Sequence, residues 1–125
     1  MTLSVDVFVR GPDGRMRVLD VAEGCSDSAG PESWRTTVWG SDAVRSLGAR
    51  HLPRVREEWL VVETEELPEF LGEIGLVRAG LGSIAAVLRG PFTEEECRQG
   101  LAGRLDNIEA AALRARRIGG GVLIW

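Results

Sequence analysis

The sequence has no lysine, no tyrosine and only one histidine among its 125 residues. All 15 basic residues are arginine, which with abundant glycine and alanine is typical of GC-rich codon usage and gives no reason to assign the arginines to phosphate binding. One histidine and two cysteines far apart in the chain lack the spacing of a structural zinc site. We therefore expect no metal and no cofactor.

Long hydrophobic runs are also absent, since none approaches the roughly 18 residues of a membrane span. The N-terminal stretch has no basic leader and carries Asp6 among its apolar residues, which is unlike a signal peptide. We expect a cytoplasmic protein without membrane association. In such a reducing compartment Cys25 and Cys97 should be free thiols.

Charge is distributed unevenly along the chain, although the net charge is only −4. Residues 57–96 contain ten glutamates and two arginines, whereas arginines outnumber acidic residues on either side. An acidic middle segment disfavours nucleic-acid binding. A hydrophobic fraction of 44% and a charged fraction of 27% are typical of a globular protein, so we predict one domain over residues 1–125.

Alternation of apolar and polar residues predicts a strand over residues 2–10, with one side buried, formed by Leu3, Val5, Val7 and Val9. The sequence GPDG then predicts a tight turn, and the return strand completes a β-hairpin. A third strand is predicted over residues 58–63. Residues 23–33 should form an irregular loop, and residues 34–40, WRTTVWG, fit either a strand or a helix.

Three helices are predicted in the rest of the chain. The first is short and begins at Ser41. The second has helical apolar spacing from Thr64 to Leu88, with either close packing or a break near Gly80–Gly82. The third begins with the capping-box pair Thr93 and Glu96.

The terminal sequence GGGVLIW could be a phosphate-binding loop, a tail for a partner or part of the fold. Glycine loops that bind phosphate precede a helix, whereas these glycines follow one. They suit a helix C-cap and a tight return, and residues 122–125 are apolar on both faces, as in an interior strand. The predicted fold is α+β: a two-layer, about four-stranded mixed sheet with two long helices and one short helix packed on one face.

Glutamates recur with helical spacing at the start of the second helix. Glu66, Glu69 and Glu73 are predicted to line one outward face, opposite the apolar stripe. Paired carboxylates perform acid–base chemistry only where their surroundings separate their pKa values, so a solvated face is the prediction here. Because an acidic face accelerates encounter with a basic protein, we predict that these three residues bind such a partner.

Four tryptophans are present in this short chain. Trp59 and Trp125 fall in predicted strands and are expected in the core. Trp34 and Trp39 lie beside the predicted loop, where they either cover one end of the core or contact a partner. We include Trp34 and Trp39 with the three glutamates as predicted partner-binding residues.

No catalytic residue is assigned. Cys25 and His51 would form a nucleophile–base pair only if the fold brought them together, and nothing that flanks Cys25 matches a nucleophile signature. The alternative to a binding protein is a small enzyme or small-ligand-binding protein with a pocket formed by the 23–40 loop, where Cys25, Trp34, Trp39 and His51 would meet. A homo-oligomer joined through a free sheet edge ranks third.

Two stretches, WRTTVWGSDAVRSLGARHLPRV and ARRIGGGVLIW, resemble short actinobacterial proteins, some of which are immunity proteins that neutralise a toxin. The resemblance transfers no functional residue to this chain. With the acidic segment, it favours a non-enzymatic protein-binding domain of the immunity or antitoxin type, acting on a basic protein partner.

Overall fold

The predicted N-terminal hairpin is present in the computed structural model, which describes residues 2–88 and 90–125. Strand β1 (Thr2–Arg10) pairs antiparallel with β2 (Met16–Val18), and Phe8 lies opposite Val18. Gly14 in the turn between them has a φ of 78°, a left-handed conformation that glycine adopts without steric cost. The alternation in β1 places Leu3, Val5 and Val7 in the core, as predicted, whereas Val9 near the end of the strand is only half-buried.

The sheet has five strands within the described residues, and each pairing is antiparallel. The remaining strands are β3 (Ser28–Pro31), β4 (Leu60–Val62) and β5 (Gly121–Ile124). Their order is β2-β1-β5-β4, while β3 pairs with the first residues of β1. The α+β class is confirmed. The expectation of a mixed sheet is wrong, because no strand among the described residues runs parallel to its neighbour. The sheet also has one strand more than the four or so predicted, because β3 forms inside the predicted 23–33 loop.

The two faces of this sheet have different surroundings. Val7 and Val122 lie opposite each other on the face that packs against the helices, as do Leu60 and Ile124. Phe8 and Leu123 are also buried, but they lie outside the core cluster, on the other side of the pleat. We call this second side the outer face.

The helices form a layer behind the core. A short helix α1 (Asp42–Arg45) is capped by the Ser41 hydroxyl, as predicted. The long apolar pattern divides into α2 (Leu67–Ala79) and α3 (Leu81–Leu88), which meet at an angle of 60°. The break lies at Gly80, where a β-carbon would overlap the Leu47 side chain, so both the predicted break and the predicted close packing occur there.

Helix α4 (Glu94–Ile118) is the longest, and it packs against α2, α3 and the sheet. It begins with the predicted capping box, in which Thr93 accepts from the Glu96 amide and Glu96 accepts from the Thr93 amide. Its apolar stripe is buried at Leu101, Leu105 and Ile108, whereas Cys97 at the start of the stripe is half-buried.

The three terminal glycines are structural, and β5 is the interior strand that the sequence predicted, lying between β1 and β4. Gly119 caps α4 with a φ of 71°. A β-carbon on Gly120 would overlap the Phe8 carbonyl, and one on Gly121 would overlap the Phe8 ring. The chain therefore needs glycine in order to turn tightly and pass beneath Phe8.

Residues 34–40, which fitted either a strand or a helix, are helical. Arg35–Trp39 is a single π-helical turn that ends at Gly40. A 3₁₀ helix, Leu52–Arg56, packs beside it, and a second 3₁₀ turn, Thr64–Glu66, leads into α2. The β-branched residues of this stretch suggested a strand, but hydrogen bonds from the Thr36 and Thr37 amides to the Ser33 carbonyl close the turn locally.

Candidate functional site

The predicted acidic face on α2 is not a free surface. Glu73 is only 4% exposed, so the prediction that it points outward is wrong. Its carboxylate accepts hydrogen bonds from three successive backbone amides, those of Arg50, His51 and Leu52. Leu52 is the first residue of the 3₁₀ helix, and Arg50 and His51 directly precede it. N–H groups at the start of a helix have no partner within the helix itself. Glu73 therefore anchors this segment to α2 and is unavailable to a partner.

The other two glutamates of the predicted acidic row, Glu66 and Glu69, also face the 50–52 segment. His51 is buried beneath them, with Nδ1 3.9 Å from a Glu66 oxygen and Nε2 3.5 Å from a Glu69 oxygen. Neither ring nitrogen has a hydrogen-bond partner among the described residues, and the ring packs edge-on against Phe70. The Glu66 carboxylate also accepts a hydrogen bond from the Glu63 backbone amide. Only Glu69 remains largely exposed, so the row is chiefly an intramolecular contact.

The predicted partner-binding tryptophans belong to the fold. Trp39 is fully buried, and its indole N–H donates to the Ala29 carbonyl at 2.8 Å. Trp34 is half-buried and packs edge-to-face against Trp39, with 5.9 Å between the ring centroids. The expectation that both rings contact a partner is wrong for Trp39, because a fully buried side chain has no accessible surface.

Conversely, the two tryptophans expected in the core are exposed. Trp59 is 60% exposed and Trp125 is 38% exposed, so that expectation is wrong. The two rings pack edge-to-face with their centroids 5.0 Å apart. The Trp125 indole N–H donates to the Asp6 carboxylate at 2.7 Å, which fixes that ring on the outer face of β1.

The outer face thus has a buried apolar floor and an exposed aromatic pair. Phe8 and Leu123 form the floor, and a guanidinium lies over the Phe8 ring, with Arg10 Cζ 5.2 Å from the ring centroid. Arg10 also forms an ion pair with Glu63 at the end of β4, and the Glu63 hydrogen bond raises the pKa of Arg10. This contact holds Arg10 across the sheet.

Alternation in β4 carried a signal for this exposure. Leu60 and Val62 are the buried core residues of the strand, so Trp59 and Val61 must point to the opposite side, the side that Glu63 shares. Trp59 was predicted in the core because it falls in a predicted strand, but the period of two places it on the opposite side from Leu60 and Val62.

Carboxylates are concentrated beside the exposed pair. Glu57 and Glu58 directly precede Trp59, and both side chains are mostly exposed. Arg56 lies 3.8 Å from Glu57 and Arg54 lies 3.4 Å from Glu58. Exposed pairs of this kind contribute little energy and can exchange partners readily.

Cys25 and His51 lie in different surroundings. Cys25 is exposed and lines a groove against α4, whereas His51 is buried beside α2. A second groove, of about 380 Å³, contains Trp34 and Cys97. The four residues predicted to surround one pocket are therefore not brought together, and neither of these two grooves includes Trp39 or His51. Burial raises the pKa of the Cys97 thiol, which disfavours its reactive thiolate form.

Residues 2–88 and 90–125 contain no group of three or more histidine, cysteine, aspartate or glutamate side chains that could hold a metal ion. In the same part of the chain, no single helix is long and apolar enough to cross a membrane. The length and apolar composition that a membrane span needs are reached only by two helical segments taken together, Thr64–Ala79 and Leu81–Leu88, which are bent by 60° at the break between them.

No protein-family model, curated protein or solved structure matches this chain.

Proposed function

We propose that the protein is a non-enzymatic protein-binding domain that contacts its partner through the outer face around Trp59 and Trp125. The exposed edge-to-face pair of indoles carries the proposal. Large rigid rings in water are costly on a surface without a partner, and tryptophan is enriched among the residues that contribute most to binding energy. Ring packing and the bond to Asp6 hold the pair in place, so little conformational freedom is lost on binding.

The acidic surroundings support a basic partner. Residues 57–73 contain seven glutamates and no arginine. Glu57, Glu58, Glu65 and Glu69 remain exposed, along the segment from Trp59 to the start of α2. The ion pairs of Glu57 with Arg56 and of Glu58 with Arg54 are exposed and exchange readily, so both carboxylates stay accessible to a partner. Such a field accelerates encounter with a positively charged surface. An immunity or antitoxin-like protein that neutralises a basic toxin is the specific form of the proposal, in line with the sequence resemblance.

Affinity capture from a lysate of the source organism, followed by titration of the purified partner, tests the proposal. Trp59→Ala should weaken binding at least about tenfold, as expected for a central aromatic contact. Phe92→Ala is the matched control, because Phe92 is an equally exposed aromatic residue at the start of α4 and should be neutral. Equal effects of the two substitutions would remove the outer face from the interaction.

The charge argument has its own test. Glu57→Gln with Glu58→Gln should slow association and reduce its dependence on ionic strength, with little change in the dissociation rate. The adjacent exposed pair Glu94 and Glu95 offers a control with the same change in charge at the start of α4. If both double variants slow association equally, the effect reflects net charge and not a located surface.

The immunity form can be tested in cells. If the product of a neighbouring gene inhibits growth, co-expression of this chain should restore growth, and the Trp59→Ala variant should restore it poorly. Restoration by both proteins alike would show that any neutralisation does not use the outer face.

A further inference from the structure

A groove of about 230 Å³ lies between α4 and the segment 19–26. It arises because the outer edge of β1 is covered at its two ends by different strands: β3 pairs with residues 2–4 and β2 with residues 8–10. The connecting segment forms backbone hydrogen bonds with β1 only at its two ends. The Leu19 amide donates to the Val7 carbonyl, and the Val5 amide donates to the Asp27 carbonyl. Between these two bonds the chain moves away from β1, and the groove occupies the space against α4.

The walls of this groove are mostly apolar. They are formed by side chains from the sheet, the segment and the helix, among them Val5, Val7, Leu19, Val21, Ala111 and Leu113. An apolar cavity of about 150 Å³ is enough to bind benzene in another protein, so the groove has room for a somewhat larger apolar group.

Two of the polar groups that line the groove are cations, and the others are Asp6, Ser26, Asn107 and the Cys25 thiol. Arg114 and Arg117 line it, and no carboxylate of residues 2–88 or 90–125 lies within ion-pair distance of either. Arg114 donates one N–H to the Asp20 carbonyl at 2.9 Å, which positions its guanidinium. Asp6 also lines the groove, but its carboxylate accepts the Trp125 indole N–H.

We propose that this groove binds a small apolar anion, an alkyl or aryl monocarboxylate. The apolar part would lie along the valine and leucine walls, and the carboxylate would pair with Arg114 and Arg117. Guanidinium groups bind carboxylates through two parallel hydrogen bonds, which makes arginine the suitable residue for this recognition. The proposal does not rest on the protein-binding role, because the groove lies along the edge of β1 and borders the outer face only through Asp6, which holds the Trp125 ring.

Calorimetric titration with octanoate tests the groove, and 1-octanol tests whether the charge is recognised. Octanoate should bind, and octanol should bind at least about tenfold more weakly. Arg117→Gln should reduce octanoate affinity about tenfold, the loss expected for one charged hydrogen-bonding group. Arg116→Gln is the matched control, because Arg116 occupies the same exposed last turn of α4 without lining the groove. Its affinity should be unchanged.

The position of the ligand can be read from the two thiols. Cys25 lines the groove and Cys97 does not, so octanoate should slow alkylation of Cys25 and leave that of Cys97 unchanged. Ala110→Trp, at an exposed groove position on α4, should abolish both binding and protection. The proposal is overturned if octanoate does not bind, if octanol binds equally well, if the two arginine variants behave alike, or if Cys25 is not protected.

Discussion

The molecule contains two tryptophan pairs with nearly the same ring geometry and opposite exposure. Trp34 and Trp39 meet edge-to-face at 79°, and Trp59 and Trp125 meet at 75°. Trp39 is fully buried and hydrogen-bonded to the backbone, whereas Trp59 is more than half exposed. The first pair completes the core, and the second lies on the outer face of the sheet, opposite the core cluster.

The comparison shows that the elements packed around a tryptophan, and not its size, decide whether it belongs to the core or to the surface. The π-helical turn places Trp39 against β3, so its indole N–H finds the Ala29 carbonyl inside the core. Trp59 precedes a strand whose core side is taken by Leu60 and Val62, so its own side faces away from the helices. Size and hydrophobicity alone would have assigned both rings to the core.

Removing β5, the interior strand whose residues contribute to both faces of the sheet, should have the largest effect on stability. Deletion of residues 122–125 takes Val122 and Ile124 from the core and separates β1 from β4. We expect loss of cooperative unfolding, because several kcal/mol of apolar burial disappear together with the central hydrogen bonds. Circular dichroism during heating measures this. A cooperative transition near the parent temperature would show that the strand is dispensable.

Within the two pairs, the core tryptophan should matter most for stability. Trp39→Ala should lower the free energy of unfolding by about 3–5 kcal/mol, since it leaves a large cavity and an unpaired Ala29 carbonyl. Urea denaturation provides the value. A loss below about 1 kcal/mol would contradict the assignment of this ring to the core.

The acidic row allows a similar contrast between two residues of one type. Glu73→Gln should cost about 2–4 kcal/mol, because an amide nitrogen would replace one acceptor that now faces backbone N–H groups. Glu69→Gln, one helical turn earlier and exposed, should change stability by no more than about 0.5 kcal/mol. Equal effects of the two substitutions in urea denaturation would show that Glu73 does not anchor the 50–52 segment.

The two thiols give the smallest contrast in stability. Cys97→Ser should destabilise by about 1 kcal/mol, since a hydroxyl replaces a half-buried sulfur beside the core. Cys25→Ser should be neutral because Cys25 is exposed. Thermal melts of the two variants should therefore separate, and a neutral Cys97→Ser would place that position outside the packed stripe.

Features determined by local interactions could be predicted from the sequence. The alternation at the start of β1 and the Ser41 and Thr93 caps depend on neighbouring residues, and the structure contains them. The break at Gly80 was signalled by the local glycines, although the close packing on Leu47 there is a distant contact. The interior position of β5 was also predictable, because its residues are apolar on both sides.

Features determined by distant contacts could not be read in the same way. Strand β3 has the sequence SAGP, with no apolar alternation, and it forms because β1 offers a free edge. Glu73 shows a signal that was missed: it lies three residues after Phe70 and four before Val77, both buried, so it falls beside the apolar stripe. That the 50–52 segment would meet its carboxylate there depends on the tertiary fold.

The central claim is that Trp59 is available for binding and is not needed by the fold. The most direct test measures two quantities for Trp59→Ala: its free energy of unfolding and its affinity for the captured partner. We predict a stability change below about 1 kcal/mol, because the ring is mostly exposed, together with a loss of affinity of at least about tenfold. A large loss of stability with unchanged affinity would contradict the claim and assign Trp59 to the fold, as its strand position first suggested.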